Sequence, residues 1–537
     1  MNRFMLLGAF ATALWGADAP TAFSPTFESH APLVSHGPID DLVFARWKQL
    51  GIQPANLTSD AAFFRRAYVD VIGTLPTAKE AADFFADKNP NKRAALIDRL
   101  LARDEFPEYS AMKWSDLLRV KAEFPINLWP NAAQAYYHWI LTSLRTNQPY
   151  DRFVYEMLTE SGSNFRDPPV NFYRAMQNRE PAGIAQTVAL TFMGVRADRW
   201  PKERLAQMAA FFSHVGYKHT GEWKEEIVFF DPNPHVSQSA GPAAANPPTA
   251  KPAVSGPLTF PDGAEIRLAP DQDPRQAFAD WLISPKNPWF ARAIVNRIWY
   301  WLDGRGIVHE PDDIRPDNPP SNPELLAYLE KELVASRYDL KHIYRLILNS
   351  TTYQLSSIPR SDKPEAAANF ASYPLRRLDA EVLIDALCQI SGLGESYTSS
   401  IPEPVTFMPD NQRAIGLPDG SIGSSFLELF GRPPRDTGME SERNNRLTDA
   451  QRLNLLNSTQ IQRKIQQGPK VLGLMRDFRN GKELVNQLYL TVLSRNPTDD
   501  EFKEVAAHSQ SGNARGQQAF VDLAWALVNS SEFLYRH

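Results

Sequence analysis

Cysteine is nearly absent from the sequence. Cys388 is the single one among 537 residues, so no disulfide can form within the chain. It lies in the apolar helical pattern EVLIDALCQI, where a small thiol is expected to pack in a core. A c-type haem requires two thiols and a histidine in the spacing Cys-x-x-Cys-His, and the chain contains no such segment. We therefore expect no c-type haem and a fold stabilised by packing alone.

Long apolar runs and a basic face are also missing. Beyond the N-terminal segment, no stretch reaches the ~18 uncharged apolar residues that a membrane-spanning helix needs. The net charge is −5 and the pI about 6.1, with both signs interspersed, which excludes the basic surface typical of nucleic-acid binding. With 43% hydrophobic and 22% charged residues the composition is globular, and the length predicts two to four domains.

No established catalytic motif occurs in the sequence. It has no G-x-S-x-G, no Walker A and no H-E-x-x-H, and Gly304-Arg-Gly306 lacks the third glycine and the preceding strand of a dinucleotide fingerprint. The ten histidines show no ligand-type pairing on a helix. These absences favour a protein that is not an enzyme.

Residues 1–19 have the pattern of a signal peptide. Arg3 supplies a positive charge, the uncharged stretch FMLLGAFATALW follows, and Ala17-Asp18-Ala19 forms a small-x-small cleavage pattern. Pro20 disfavours cleavage directly before it, so Ala17 is an alternative end. An uncleaved anchor or a buried helix are the other interpretations. The signal peptide predicts a periplasmic or extracellular protein.

The periodicity predicts a mainly α, multi-helical protein with two helical domains. We place the first at residues 38–231 and the second at 258–537, separated by a linker at 232–257 that is rich in proline and alanine. Short strands are expected on both sides of the linker, at Glu225–Phe230 and between Leu258 and Leu268. Further helices are expected at Ile184–Phe212, Gln276–Ile283, Phe290–Leu302, Glu324–Ser336, Leu340–Leu348 and 378–392. Asp379 is the expected N-cap of the last of these. An irregular stretch is expected at 395–447, and helices resume from 448 onwards.

Two segments near the ends of the chain share one pattern. Residues 68–80 align without gaps with residues 489–501, and each carries Pro-Thr-x-x-Glu, the capping box that begins a helix. Downstream, Asn91-x-Arg93 is echoed by Asn513-x-Arg515 with small length adjustments. The pattern indicates a duplicated helical hairpin, and convergence on good capping chemistry is the alternative.

Several segments resemble a known pair of families. FFRRAYVDVIGTLPT, REPAGIAQTVALTFMGVR and RWPKERLAQMAAFF are similar to the N-terminal domain of planctomycete-type cytochrome-associated proteins, domain-of-unknown-function family fifteen-forty-nine. The stretch from Asn287 to Pro323, with RRLDAEVLIDAL and SSFLELFGRPPR, resembles its usual C-terminal partner, family fifteen-fifty-three. Through the neighbours of its relatives, the resemblance implies an exported sulfatase-like protein or a glycan as partner.

The sequence departs from the family pattern at two places. Relatives typically carry Cys-x-x-Cys-His between Gly-Val-Arg and Arg-Trp, whereas here Arg196 is followed by Ala-Asp and then directly by Arg199-Trp200. Where relatives show Cys-Glu-Cys-Glu-Arg, this chain reads Met439-Glu-Ser-Glu-Arg443. The haem and the cysteine chemistry that the family implies are therefore not expected here.

Three aspartates are the candidate metal ligands. Asp312, Asp313 and Asp317 lie close together in a loop after His309-Glu310, and carboxylate oxygens are the ligands of divalent cations such as Ca²⁺. Their spacing matches no EF-hand, however. Helix capping at Ser321-Asn-Pro-Glu324 and loop hydrogen bonding are the alternative roles for this region.

Glu440, Glu442 and Arg443 are the candidate catalytic residues, because they form the densest charged group of the irregular stretch 395–447. Two carboxylates with separated pKa values can act as acid and base. A solvated network of ion pairs is the alternative.

The aromatic residues of one predicted helix and its start are expected to be core residues, with sugar stacking as the alternative; they are tryptophans 289, 299 and 301 and Tyr300. Arg292 and Arg297 are expected to pair with acidic groups.

These observations favour an exported, non-haem binding or scaffold protein of the periplasm or cell surface. The alternative is a glycan-directed hydrolase that uses carboxylates of the 410–445 region, and electron transfer is a weaker one. The hydrolase requires Glu440 or Glu442 to lie near Asp312 or Asp313 in an aromatic-lined cavity.

Overall fold

The computed structural model describes residues 22–232, 256–510 and 516–537. The protein is mainly α-helical, as the periodicity predicts. The predicted signal peptide, most of the predicted linker and the segment from Asn513 to Arg515 lie outside the described residues.

The N-terminal half is a set of helices joined by short turns. Helices α1 to α10 are Pro38–Leu50, Asp60–Ile72, Ala78–Ala86, Lys92–Leu101, Glu105–Leu117, Pro130–Arg145, Tyr150–Thr159, Asn171–Arg174, Pro181–Val188 and Lys202–Ala210. The helix predicted from Ile184 to Phe212 is interrupted, because Gly194 adopts a left-handed conformation at φ 64° and a new helix begins only after its N-cap, Pro201. A π-helical turn, Ala189–Met193, lies before this break.

The C-terminal half is also a set of helices. Helices α11 to α23 are Pro274–Ile283, Phe290–Asp303, Pro323–Ala335, Leu340–Asn349, Ala380–Ser391, Ser425–Leu429, Asp449–Asn457, Thr459–Gln467, Pro469–Asp477, Gly481–Leu493, Asp499–Gln510, Gln517–Val528 and Ser531–Leu534. The stretch 395–447 is mostly irregular, as predicted. No helix of the described ranges has both the length and the apolar character needed to cross a bilayer.

Strands are short and antiparallel. The strands β1 to β9 are Glu28–Ser29, Leu57–Thr58, Gly162–Ser163, Val215–His219, Glu226–Phe230, Leu258–Thr259, Glu265–Ile266, Arg376–Arg377 and Tyr535–Arg536. They pair as β1–β2, as a three-stranded sheet of order β3-β5-β4, and as β6–β7 and β8–β9. Strand β5 and the β6–β7 hairpin are the predicted strands, whereas β4 lacks the alternation of polar and apolar residues that would have revealed it.

Two clusters of buried apolar side chains form the core. The larger one extends from α1 through α14 and crosses both predicted domains. The smaller one joins α15 and the C-terminal helices to Val69, Leu75, Tyr109 and Met112 of the N-terminal half. Since each cluster contains residues from both halves, the two halves share their core.

The two ends of the predicted repeat have the same local structure. Helices α2 and α20 are followed by a residue in the left-handed conformation, Gly73 at φ 57° and Ser494 at φ 60°. In each repeat the Glu backbone N–H donates to the Thr hydroxyl at 3.2 Å and the Glu carboxylate accepts from the Thr backbone N–H, at 2.8 Å for Thr77 and 2.7 Å for Thr498. The alignment therefore corresponds to a repeated helix–turn–helix geometry.

Candidate functional site

Arg297 is a buried arginine at the junction of the two halves. It lies on α12, its side chain is fully buried, and its guanidinium forms an ion pair with Asp312 at 2.8 Å. The same guanidinium donates to the carbonyl oxygens of Leu190, at 2.7 Å, and Thr191, in the π-helical turn. Turns of this kind break the regular hydrogen-bond ladder and leave carbonyls for other donors. The prediction that Arg297 pairs with an acidic group is confirmed.

Glu440 and Asp312 meet around Arg297. The second oxygen of the Asp312 carboxylate accepts from the Glu440 backbone N–H at 2.7 Å, and the Glu440 side chain accepts from Trp301 Nε1 at 2.8 Å. Burial and the negative charge of Asp312 raise the pKa of Glu440 to about 7. The structure thus brings together one predicted catalytic residue and one predicted metal ligand, but Asp312 points into the interior and its charge is matched by Arg297.

Glu442 and Arg443 hold the irregular stretch in place. The Glu442 carboxylate accepts from the backbone N–H groups of Asp436 and Thr437, at 3.0 and 3.2 Å, and so closes the turn that precedes it. Arg443 is half-buried and donates to Glu381 at 2.7 Å and to Asp116 at 2.6 Å. The alternative of a solvated network of ion pairs is therefore wrong for Arg443, because its carboxylate partners lie in the protein interior.

Arg443 belongs to a larger group of buried ion pairs, which we call the central ion cluster. It consists of Asp70, Asp116, Asp379, Glu381, Arg435, Arg443 and Arg536. Burial alone would raise the pKa of Asp379, but Arg536, Arg443 and Lys113 hold it well below its usual range. Asp379 occupies the predicted N-cap position of α15, but its carboxylate makes no capping bond and accepts instead from Arg536 at 2.6 Å and Tyr109 at 2.7 Å.

The central ion cluster was not foreseen from the sequence, although its members lie in conspicuous segments. Asp70 belongs to FFRRAYVDVIGTLPT, Asp379 and Glu381 to RRLDAEVLIDAL, and Arg435 to SSFLELFGRPPR. Charged residues inside otherwise apolar segments were the signal that could have revealed them. Buried charges are stable only when paired, so charges in apolar segments predict partners elsewhere in the chain.

The three predicted metal ligands do not converge. Asp312 faces Arg297, Asp313 lies 3.3 Å from Arg199, and Asp317 lies 2.6 Å from Arg315. In the described part of the chain, no three side chains of His, Cys, Asp or Glu are placed to hold a metal ion. These aspartates neutralise arginines instead.

The helix start after the aspartates is confirmed, with one shift in position. The N-cap of α13 is Asn322, not Ser321, and its side chain accepts from the Leu325 backbone N–H at 3.0 Å. Pro323 occupies the first turn, where it loses no hydrogen bond.

A cavity of about 580 Å³ lies beside these aspartates. One wall is formed by residues 195–204, and the other by Trp289, Arg292 and the loop at 308–320. The two walls are joined by a backbone hydrogen bond from Ile314 N–H to the Gly194 carbonyl at 2.8 Å. We call this cavity the arginine groove. Glu440, Glu442 and Arg443 do not line it.

The arginine groove carries more positive than negative charge. Five arginines line it, namely 196, 199, 204, 292 and 315, against the two aspartates 313 and 317. Arg292 pairs with Glu330 at 2.7 Å, as predicted, and Arg199 and Arg315 pair with the groove aspartates. Arg196 and Arg204 make no ion pair or side-chain hydrogen bond with any residue described, and the Nε atom of each is buried without an acceptor.

Aromatic rings complete the groove. Trp200 and Trp289 line it and are half-buried, and the Arg204 guanidinium lies 4.0 Å from the centroid of the Trp200 ring. Burial lowers the pKa of Arg204, which is a sign that its charge is not matched by a nearby carboxylate. Trp299 and Trp301 are core residues, as predicted, whereas the core prediction is wrong for Trp289 and Tyr300, which are half-buried.

The structure therefore defines a mainly α-helical protein whose two halves share a core and form an arginine groove at their junction. Residues 38–216 match the model of the PSCyt2 family, a protein of unknown function (DUF1549), and residues 274–509 match that of the PSD1 family, a protein of unknown function (DUF1553). The chain thus carries one domain of each family, as the resemblance predicts. No curated protein and no solved structure matches it.

Proposed function

We propose that this chain is an exported, non-haem binding protein whose arginine groove takes an anionic glycan. The proposal rests on Arg196 and Arg204, whose guanidinium groups have no ion-pair partner among the described residues. Each presents a guanidinium with no counterion from the described chain in a cavity large enough for a small ligand. The buried Nε atom of each guanidinium lacks an acceptor, which is unfavourable, so an anion that supplies acceptors would stabilise the groove.

The chemistry of the lining favours an acidic sugar over a simple anion. Guanidinium groups bind carboxylates and sulfates through paired hydrogen bonds, while Trp200 and Trp289 offer ring surface beside the charges. A sulfated or carboxylated glycan presents both an anion and an apolar ring face. This ligand class agrees with the sulfatase-like partner that the resemblance implies, and the predicted signal peptide would bring the protein to such a glycan.

Binding of dextran sulfate and of neutral dextran to the full chain, measured by isothermal titration calorimetry, tests the proposal. We expect binding of dextran sulfate that weakens with increasing salt, and no binding of dextran. Arg196→Gln and Arg204→Gln should each weaken binding by about 10- to 100-fold, because a charged hydrogen bond contributes about 1.5–3 kcal/mol.

Arg463→Gln is the matched control, since Arg463 is exposed and lies outside the groove. Equal binding of dextran and dextran sulfate would contradict the proposal. An equal loss of affinity in all three variants would also contradict it, because binding would then follow net charge and not the groove.

A further inference from the structure

Asp313 places a carboxylate inside the arginine groove and contacts both of its walls. Its Oδ1 atom accepts from Arg199, on the wall formed by residues 195–204, at 3.3 Å. Its Oδ2 atom accepts from the Nε atom of Arg315, on its own loop, at 3.1 Å. Guanidinium groups from opposite walls therefore converge on one carboxylate, as they would on the carboxylate or sulfate of a bound ligand.

The two arginines differ in the partners they would keep without Asp313. Arg315 also pairs with Asp317, at 2.6 Å. Among the described residues, Arg199 makes its ion pair and its side-chain hydrogen bond with Asp313 alone. Removing the charge of Asp313 would therefore free the guanidinium of Arg199, whereas removing the charge of Asp317 would leave both arginines paired.

The Asp313 side chain is not needed to shape the groove. The Asp313 backbone is held by other bonds, because its N–H donates to the Glu310 carbonyl at 3.0 Å and its carbonyl accepts from the Asn318 side chain at 2.9 Å. Beside it, the hydrogen bond from the Ile314 N–H to the Gly194 carbonyl joins the two walls. The carboxylate can therefore lose a partner while the loop stays in place.

We propose that Asp313 is an internal counterion that competes with the anionic ligand of the groove for Arg199. This inference rests on the proposed function of the groove. The Arg199 side chain is 51% exposed, so its pair with Asp313 is weak and can exchange with another anion. An anionic group of the ligand displaces the Asp313 carboxylate, and Arg199 becomes a third contact beside Arg196 and Arg204.

The size of this competition follows from the strength of an exposed ion pair. Such a pair is closed only about one and a half to five times as often as it is open. A ligand that needs the open form loses affinity by the reciprocal of the open fraction, which is about two- to sixfold.

Isothermal titration calorimetry of the full chain with dextran sulfate tests the proposal. Asp313→Asn should tighten binding about two- to sixfold beyond the gain in Asp317→Asn. Asp317→Asn is the matched control, because it removes the same charge from the same groove but leaves Arg199 and Arg315 paired with Asp313. In the Arg199→Gln background, Asp313→Asn should give only the smaller gain of the control, since no guanidinium remains to be freed.

Different outcomes contradict the competition and the proposed function of the groove. The competition is overturned if the wild-type protein binds dextran sulfate but Asp313→Asn binds it no more tightly than Asp317→Asn. It is also overturned if the extra gain persists in the Arg199→Gln background. An absence of binding in the wild-type protein and in all of these variants would overturn the proposed function and this inference together.

Discussion

The Arg297 guanidinium and the Asp312 carboxylate form an ion pair at 2.8 Å in which neither side chain is exposed. This pair ties α12 to the loop that forms one wall of the arginine groove. Removing one member of a buried pair leaves the other charge uncompensated, which costs far more than the pair itself contributes.

Asp312→Asn is expected to destabilise the protein by about 3–5 kcal/mol, because the buried Arg297 would lose its partner at 2.8 Å and keep only the carboxylate of Glu440, 3.9 Å away. Asp317→Asn is the matched control. Asp317 lies 2.6 Å from Arg315, but this ion pair is exposed, so the free energy of unfolding should fall by less than about 1 kcal/mol. Chemical unfolding followed by circular dichroism measures both. Equal losses would mean that the Arg297–Asp312 pair is not buried in solution.

Asp303 is expected to make the stability of the protein depend on pH. It is buried at the C-terminal end of α12, and its Oδ2 atom has no hydrogen-bond partner among the described residues. Burial raises the pKa of Asp303 to about 7. The folded state therefore keeps a proton that the unfolded state loses above pH ~4, so stability contributed by this group falls as the pH rises from ~4 to ~7.

Asp303→Asn should stabilise the protein at pH 8, by on the order of 1 kcal/mol or more, and have little effect near pH 4. Thermal unfolding at both pH values measures the difference. Asp83→Asn, at an exposed position, should show no such dependence. A destabilised Asp303→Asn variant at pH 8 would indicate that Asp303 is ionised and paired in the folded state.

The repeated capping boxes predict equal effects at two distant positions. Thr77→Ala and Thr498→Ala each remove the hydroxyl that accepts from a Glu backbone N–H at 3.2 Å. Each should destabilise its helix by about 1 kcal/mol, and replacement by Ser should restore most of the loss. The free energies of unfolding of the four variants, with Ala or Ser at position 77 or 498, measure these losses and their recovery. A loss at one position alone would contradict the equivalence of the two repeats.

Expression with the bacterial apparatus that attaches haem to thiols should give a colourless protein. The single thiol, Cys388, is half-buried and has Lys464 3.4 Å from its sulfur, and burial raises its pKa to about 11. A thiol in this state is a poor nucleophile. The measurement is the absorption spectrum together with the intact mass, and a Soret band that survives denaturation would contradict the expectation.

Local chemistry made much of the fold predictable. The capping box at Thr77 and the strand at β5 follow from residues close together in sequence, which is why they were found. The arginine groove and the central ion cluster could not be found in this way. Arg443 lies 327 positions from Asp116, so no local pattern shows that these two residues form a pair.

The separation between Asp70 and Arg536 bears on how the protein folds. These two residues are 466 positions apart in the sequence, but they contact each other in the centre of the molecule. Closing a loop of this length is entropically costly, and proteins dominated by such distant pairings fold slowly. In any partly folded form in which β9 is not yet docked, Asp70 and Asp379 lack Arg536, so the C-terminal strand supplies the cation that allows these two carboxylates to be buried.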